Sequence, residues 1–168
     1  MSKLNLGCAY NKEEGYINVD IDPECNPDLC FDLRETWPVE TDSVHEVLAM
    51  HILEHIEGTD GFLNFWKELY RVCCDGAVVK IEVPHWTHPT FFHDPTHVRA
   101  VTPIGIRMFD QEQNQQNLLE NGRETKLGFM CKVDFSLEYV NFGADATNGD
   151  PCTCQYIVKA VKPARYRK

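Results

Sequence analysis

The segment HILEH at residues 51–55 places two histidines and a glutamate in the order H-x-x-E-H. On a helix, that spacing gathers two imidazoles and a carboxylate, the zinc ligands and general base of a metal-dependent protease. The same chemistry is dense in HWTHPTFFHDPTH, residues 85–97, where His85, His88, His93 and His97 surround Asp94. Imidazoles this close together are of the right type for zinc or iron. Spacing argues against both. Pro84, Pro89 and Pro95 interrupt any helix that would align the second group. EVLAM before HILEH is strand-like, and Gly58 and Gly61 arrive within a turn or two, so the first group lacks its helix. HILEH therefore reads as the carboxyl end of a strand turning into a short helical segment, with Glu54 and His55 positioning the turn. No metal is assigned. A histidine of near-neutral pKa can instead take a proton from a nucleophile, and His97 with Asp94 is the candidate pair. The plainer alternative is that these side chains only fix the loop by hydrogen bonds.

The elements around these residues alternate. KLNLGC is a short apolar run ending in glycine, YINVDI a second ending in acid, DLCFDL a third and EVLAM a fourth. TDGFLNFWKELYRVCCDG has Phe62, Phe65, Trp66, Leu69 and Cys73 at three- and four-residue spacing, which predicts an amphipathic helix. Thr59 or Asp60 is expected to cap its start, and Asp75-Gly76 to stop it. AVVKIEVP is a fifth strand closed by Pro84. Strands alternating with helices imply a parallel sheet in an α/β fold. Toward the carboxyl terminus, FMCKVDFSLEY alternates through Phe129, Cys131, Val133, Phe135, Leu137 and Tyr139, and CTCQYIVKAV through Cys152, Cys154, Tyr156, Val158 and Ala160. Period two with one polar face predicts an antiparallel pair at the sheet edge. DQEQNQQNLLENGRETK is polar and reads as a surface helix end plus a mobile loop.

Length and charge narrow the function classes. The 168 residues suit one domain, 1–168, with an ordinary core. A net charge of −10 repels a phosphate backbone, so nucleic acid is an unlikely partner. The one basic run, KPARYRK, reads as a solvated terminus. The start MSKLNLGCAY does not have the pattern of a secretory signal, and no window is apolar enough to span a membrane. A cytoplasmic location is expected, with the eight cysteines reduced and serving as small buried apolar residues. The oligomeric state is not legible.

Taken in order, LNLGC, INVDI, DL, HILEHI, a helix, a D-G turn and VVKIEVP resemble the class I S-adenosylmethionine-dependent methyltransferases, and within them the small type 11-like group. HDPTHVRAVTP resembles a segment that follows the fifth strand in some of those proteins. The resemblance implies a Rossmann-like, mostly parallel sheet with an antiparallel C-terminal edge pair. It also implies S-adenosylmethionine as cofactor, bound by Leu6, Gly7, Cys8, Asp20, Ile21, Asp32, Leu33 and His51. Gly7 would admit close backbone approach, and Asp20 would accept from both ribose hydroxyls, with Asp22 the alternative if the register slips. Asp32 and Leu33 would meet the adenine.

Only CAYNKEEGY separates the first two strands, so the first crossover helix is shortened or absent. Lys12, Arg34 or backbone amides near Ala9–Asn11 are then the substitutes for its N-terminus. Trp86, Phe91 and Phe92 either wall an apolar substrate pocket or belong to the core. The implied reaction is direct transfer of a methyl group to a small molecule or sugar. A His-rich metal-dependent hydrolase and a non-catalytic S-adenosylmethionine-binding module are the alternatives.

Overall fold

Short runs with buried apolar side chains, such as Leu4 and Leu6 or Val79, Ile81 and Val83, suit parallel strands covered on both faces. In the computed structural model, which describes residues 1–120 and 122–166, such runs form the centre of the sheet. Strands β1 (Ser2–Leu6), β2 (Ile17–Asp20), β3 (Leu29–Cys30), β4 (Val44–Met50) and β5 (Cys73–Pro84) are parallel. Strands β6 (Phe135–Ala144) and β7 (Pro151–Ala160) add an antiparallel pair through β7 against β5. The order β3-β2-β1-β4-β5-β7-β6 makes one seven-stranded sheet, so the fold is α/β as the sequence implied.

Helix α1 (Thr59–Val72) is the long crossover, between β4 and β5. It buries Phe65, Trp66, Leu69 and Val72 completely. Burying each such side chain contributes about 1.5–3 kcal/mol relative to exposure. Trp66 stacks on Phe109 at 4.3 Å and meets Phe135 edge-on at 5.2 Å. The expected cap is different: Gly58 occupies the N-cap and no side chain caps the helix. The helix also ends earlier than expected, so Cys73 is the first residue of β5 and not part of the helix face. Gly76, at φ +74°, instead sits where the β4–β5 register shifts, as a bulge allows.

Between β1 and β2 the residues form turns and no helix. Side-chain amides do the holding there. Asn5 Nδ2 donates to the Asn11 carbonyl and to Asn18 Oδ1, both at 3.0 Å, while Asn18 Oδ1 also accepts from Glu13 N at 2.8 Å. Asn5 and Asn18 are buried, and this network satisfies a crossover that lacks helical hydrogen bonds.

Three C-terminal expectations are corrected. The alternation in FMCKV does not make a strand: Leu127–Cys131 is helix α5 once α2 (Pro89–His93), α3 (Pro103–Arg107) and α4 (Gln111–Leu119) are counted. Gly128 N donates to the Met108 carbonyl and Phe129 N to Asn114 Oδ1, drawing the segment into a turn before β6 begins at Phe135. The polar segment from Asp110 begins as a docked helix, Gln111–Leu119, rather than a surface helix end, and the described residues after it up to Lys126 are irregular. Gln111 and Asn114 are buried, and their amides donate to the carbonyls of Gly128, Val133 and Met108. The tail is docked as well, through Arg165 on Asp134 and Tyr166 N on Gln111 Oε1. Asn121, Arg167 and Lys168, which belong to those two segments, lie outside the described residues.

Candidate functional site

The strand order reverses between β1 and β4, and a ligand crevice is expected there, outside the carboxyl ends of the strands. A cavity of about 280 Å³ lies at that point. It is lined by Gly7 after β1, Asp20 and Ile21 at the end of β2, Phe31–Arg34 after β3, and Ile52 and His55–Glu57 after β4. Six sequence-derived candidates (Gly7, Asp20, Ile21, Asp32, Leu33 and Arg34) are thus brought together.

Gly7 is required here on two counts. Its φ is +64°, and a β-carbon would lie 2.6 Å from Ile52 Cδ1. Asp20 is held in place while keeping capacity to bind. Oδ2 accepts from Ala9 N at 2.8 Å and Oδ1 from Asp22 N at 2.9 Å, leaving each oxygen a second acceptor position. Asp22 instead caps the 3₁₀ turn Pro23–Cys25 by accepting from Glu24 N, and it is absent from the cavity lining.

Leu6, Cys8 and His51 stand apart. Leu6 and Cys8 are buried in the fold and absent from the lining. Burial pushes the Cys8 thiol pKa up. His51, at φ +53°, turns its ring toward carboxylates: Nδ1 is 3.4 Å from Glu54 Oε1 and Nε2 is 3.2 Å from Glu82 Oε1. Glu54 first, and Glu82 after it, raise the imidazole pKa. Asp32 is clamped by its neighbour, since Arg34 Nε reaches both carboxylate oxygens at 3.0 Å and a terminal nitrogen reaches Oδ2 at 2.7 Å. That pair holds the Asp32 carboxyl below its usual range. An adenine amine would share the carboxylate with this guanidinium. The amides proposed to replace the missing helix are also engaged, Ala9 N with Asp20 and Asn11 N with the Cys8 carbonyl, while Lys12 Nζ bonds the Asn26 carbonyl.

Sequence reasoning missed Phe31, Ile52 and Ile56 as cavity walls and gave His55 only a turn. Their position directly after β3 and β4 was the available signal.

The four histidines of 85–97 do not converge. His85 Nδ1 accepts from Thr87 and His88 Nδ1 from Thr90, each fixing its own turn. Burial lowers the His85 pKa. His93 is exposed. Trp86 stacks on His85 at 4.1 Å and packs, partly buried, against the main core, whereas Phe92 is exposed. His97 faces His55, its ring edge-on with centroids 4.7 Å apart. Asp94 Oδ2 lies 3.9 Å from His97 Nε2, and Asp94 Oδ1 accepts from both N and Oγ1 of Thr96. Those bonds lower the Asp94 pKa and make it a weak base.

No protein-family model and no curated protein sequence matches the chain. Solved structures do. A SAM-dependent methyltransferase of Archaeoglobus fulgidus matches with TM-score 0.61 at 19% identity, over 94% of this chain and 85% of that one. A SAM-dependent methyltransferase of Methanosarcina mazei matches with TM-score 0.62 at 14% identity, over 95% and 92%. The [4+2]-cyclase SpnF matches with TM-score 0.57 at 12% identity, over 95% and 75%. The chain has the methyltransferase fold, and the cyclase shows that this fold hosts more than one chemistry.

Proposed function

We propose that the chain is a cytoplasmic, single-domain S-adenosylmethionine-dependent methyltransferase acting on a small molecule or sugar. The observation that carries this reading is the pairing of Gly7 and Asp20 in one cavity at the reversal of strand order. The residues present fit the cofactor's nucleoside. Asp20 has acceptor capacity for ribose hydroxyls, Gly7 clears the approach, and Phe31, Leu33, Ile52 and Ile56 supply apolar walls for a base. When bound, the cofactor supplies a methyl group activated by its sulfonium. The protein's part is to orient the two reactants and exclude water. His97 donates from Nδ1 to the Phe91 carbonyl at 2.8 Å, which leaves Nε2 with a lone pair able to take the acceptor's proton. The acidic surface favours a small acceptor over RNA.

One observation favours a second reading, a non-catalytic nucleoside-binding module: the amides near Ala9–Asn11 are used internally and leave the methionine end of the cofactor fewer donors. Calorimetry separates the two. S-adenosylhomocysteine is expected to bind in the micromolar range and at least tenfold more tightly than adenosine. Equal affinities support the module, and no binding of either ligand sinks both readings.

A further inference from the structure

Glu54 is 1% exposed, and neither carboxylate oxygen has a hydrogen-bond partner. An ionised carboxylate taken out of water without partners is among the costliest groups a fold can hold. Its neighbours show what would offset that cost. One ligand atom each from Glu54, His55 and His97 lie within 4.8 Å of one another.

The hydrogen bonds of both imidazoles leave Nε2 as the nitrogen free to ligate. Thr96 Oγ1 donates its only proton to Asp94 Oδ1 at 2.6 Å, so at 2.9 Å from His55 Nδ1 it can only accept. Nδ1 of His55 therefore carries the proton and Nε2 the lone pair. His97 reaches the same state by donating from Nδ1 to the Phe91 carbonyl at 2.8 Å. These assignments follow from the hydrogen-bond network. A ligating histidine whose other nitrogen donates to a carbonyl or hydroxyl is the usual outer arrangement of a metal site. The backbone brings the groups together, since Val98 N donates to the Glu54 carbonyl at 3.0 Å and ties the 94–98 loop onto the 53–55 turn.

We propose that Glu54, His55 and His97 bind one divalent transition-metal ion of the zinc class. Two imidazoles and one carboxylate suit zinc and ferrous iron better than calcium or magnesium. Three protein ligands leave a coordination position open, as in catalytic rather than structural sites. In a loaded tetrahedral site, bonds of about 2.1 Å put ligand atoms about 3.4 Å apart, so the cluster contracts on binding. The site takes its residues from both histidine groups of the sequence. HILEH contributes its last two residues and the 85–97 loop only its last histidine. His55 also lines the cavity with Gly7 and Asp20, so ion and nucleoside would share a wall. With an ion bound, His97 Nε2 is no longer free to take a proton, and the ion itself would lower the acceptor's pKa. The nearest competing partner for Glu54 is His51, whose Nδ1 is 3.4 Å from Oε1.

The inference does not rest on the methyltransferase reading, and its test needs no cofactor. Metal-free protein is titrated with zinc against a chromophoric chelator, and separately with cobalt(II), whose visible absorption reports coordination. One equivalent is expected in the parent protein. His97→Ala and Glu54→Gln are expected to weaken binding at least a hundredfold, whereas His93→Ala, an exposed histidine of the same loop, leaves it unchanged. Zinc is expected to raise the melting temperature of the parent and of His93→Ala, but not that of the two ligand variants. The metal-free Glu54→Gln protein is expected to melt no lower than the metal-free parent, because the substitution removes a buried carboxylate that makes no hydrogen bond. Absence of stoichiometric zinc, retention of binding in both ligand variants, or equal loss in His93→Ala overturns the proposal. Lower melting of metal-free Glu54→Gln overturns it too, by showing that His51 already satisfies the carboxylate.

Discussion

Gly7 and Ile52 stand so close across the β1–β4 boundary that a β-carbon on residue 7 would lie 2.6 Å from Ile52 Cδ1. Gly7→Ala must therefore meet both this contact and the positive φ. We expect a loss of roughly 1–3 kcal/mol, or a melting temperature lower by on the order of 5 °C. Adding Ile52→Val should recover part of the loss, and never all of it, because φ is unchanged. An unaltered melt in Gly7→Ala would remove the steric argument for this glycine.

Asp20 and Asp32 both line the cavity but differ in what already binds them. Asp20→Ala is expected to weaken S-adenosylhomocysteine binding about ten- to a hundredfold, the worth of one or two hydrogen bonds to a charged acceptor. Asp32→Asn should cost less than tenfold, because Arg34 already occupies that carboxylate. Calorimetry on both variants decides, and the reverse order of effects would make Asp32 the principal anchor.

Glu46 receives Lys3 Nζ at 2.9 Å and Lys80 Nζ at 2.6 Å, and these hydrogen-bonded ammonium groups hold its carboxyl down to about 2. A depressed acid contributes stability that is complete above its usual value of 4.5 and is lost as pH falls toward 2. The pairs are partly exposed, so the contribution is small, under about 1 kcal/mol each. Melts of the parent and Glu46→Gln should differ at pH 6 and converge near pH 2. A constant difference across that window would contradict the ion-pair origin.

Asp134 is fully buried and accepts from Gln111 N at 3.0 Å, from Arg165 N and Nε at 2.9 Å, and from a terminal Arg165 nitrogen at 2.7 Å. Asp134→Ala leaves Gln111 N and Arg165 N and Nε unpartnered, while the terminal Arg165 nitrogen keeps only Asp110, at 2.6 Å. The expected cost is about 3–5 kcal/mol, with faster proteolysis of the C-terminal segment. A melt within a degree of the parent would show that the tail contributes little.

How much was legible depended on whether local pattern or distant contact decided an element. The runs ending at Leu6, Asp20 and Met50 were readable because a buried parallel strand must be apolar wherever it stands. The place of Asp20 at the end of β2 was readable for the same reason. The stretch around Cys131 misled because its alternation is that of a strand, while its amides donate to the Met108 carbonyl and Asn114 Oδ1 and draw it into a helical turn. The polar segment from Asp110 misled for the opposite reason: low hydrophobicity marks exposure only when no buried acceptors await the amides, and here Gly128, Val133 and Met108 provide them.

HILEH shows the division most clearly. By itself the sequence determined that a strand ends before His51 and that a zinc-protease helix is missing, because both follow from propensities within a few residues. Only the tertiary structure decided that Glu54 is buried with neither oxygen hydrogen-bonded and that His97, not His51, faces His55. The pairing of a strand end with a remote loop depends on which carbonyl reaches Val98 N. Chain spacing carries no information about a contact made across space.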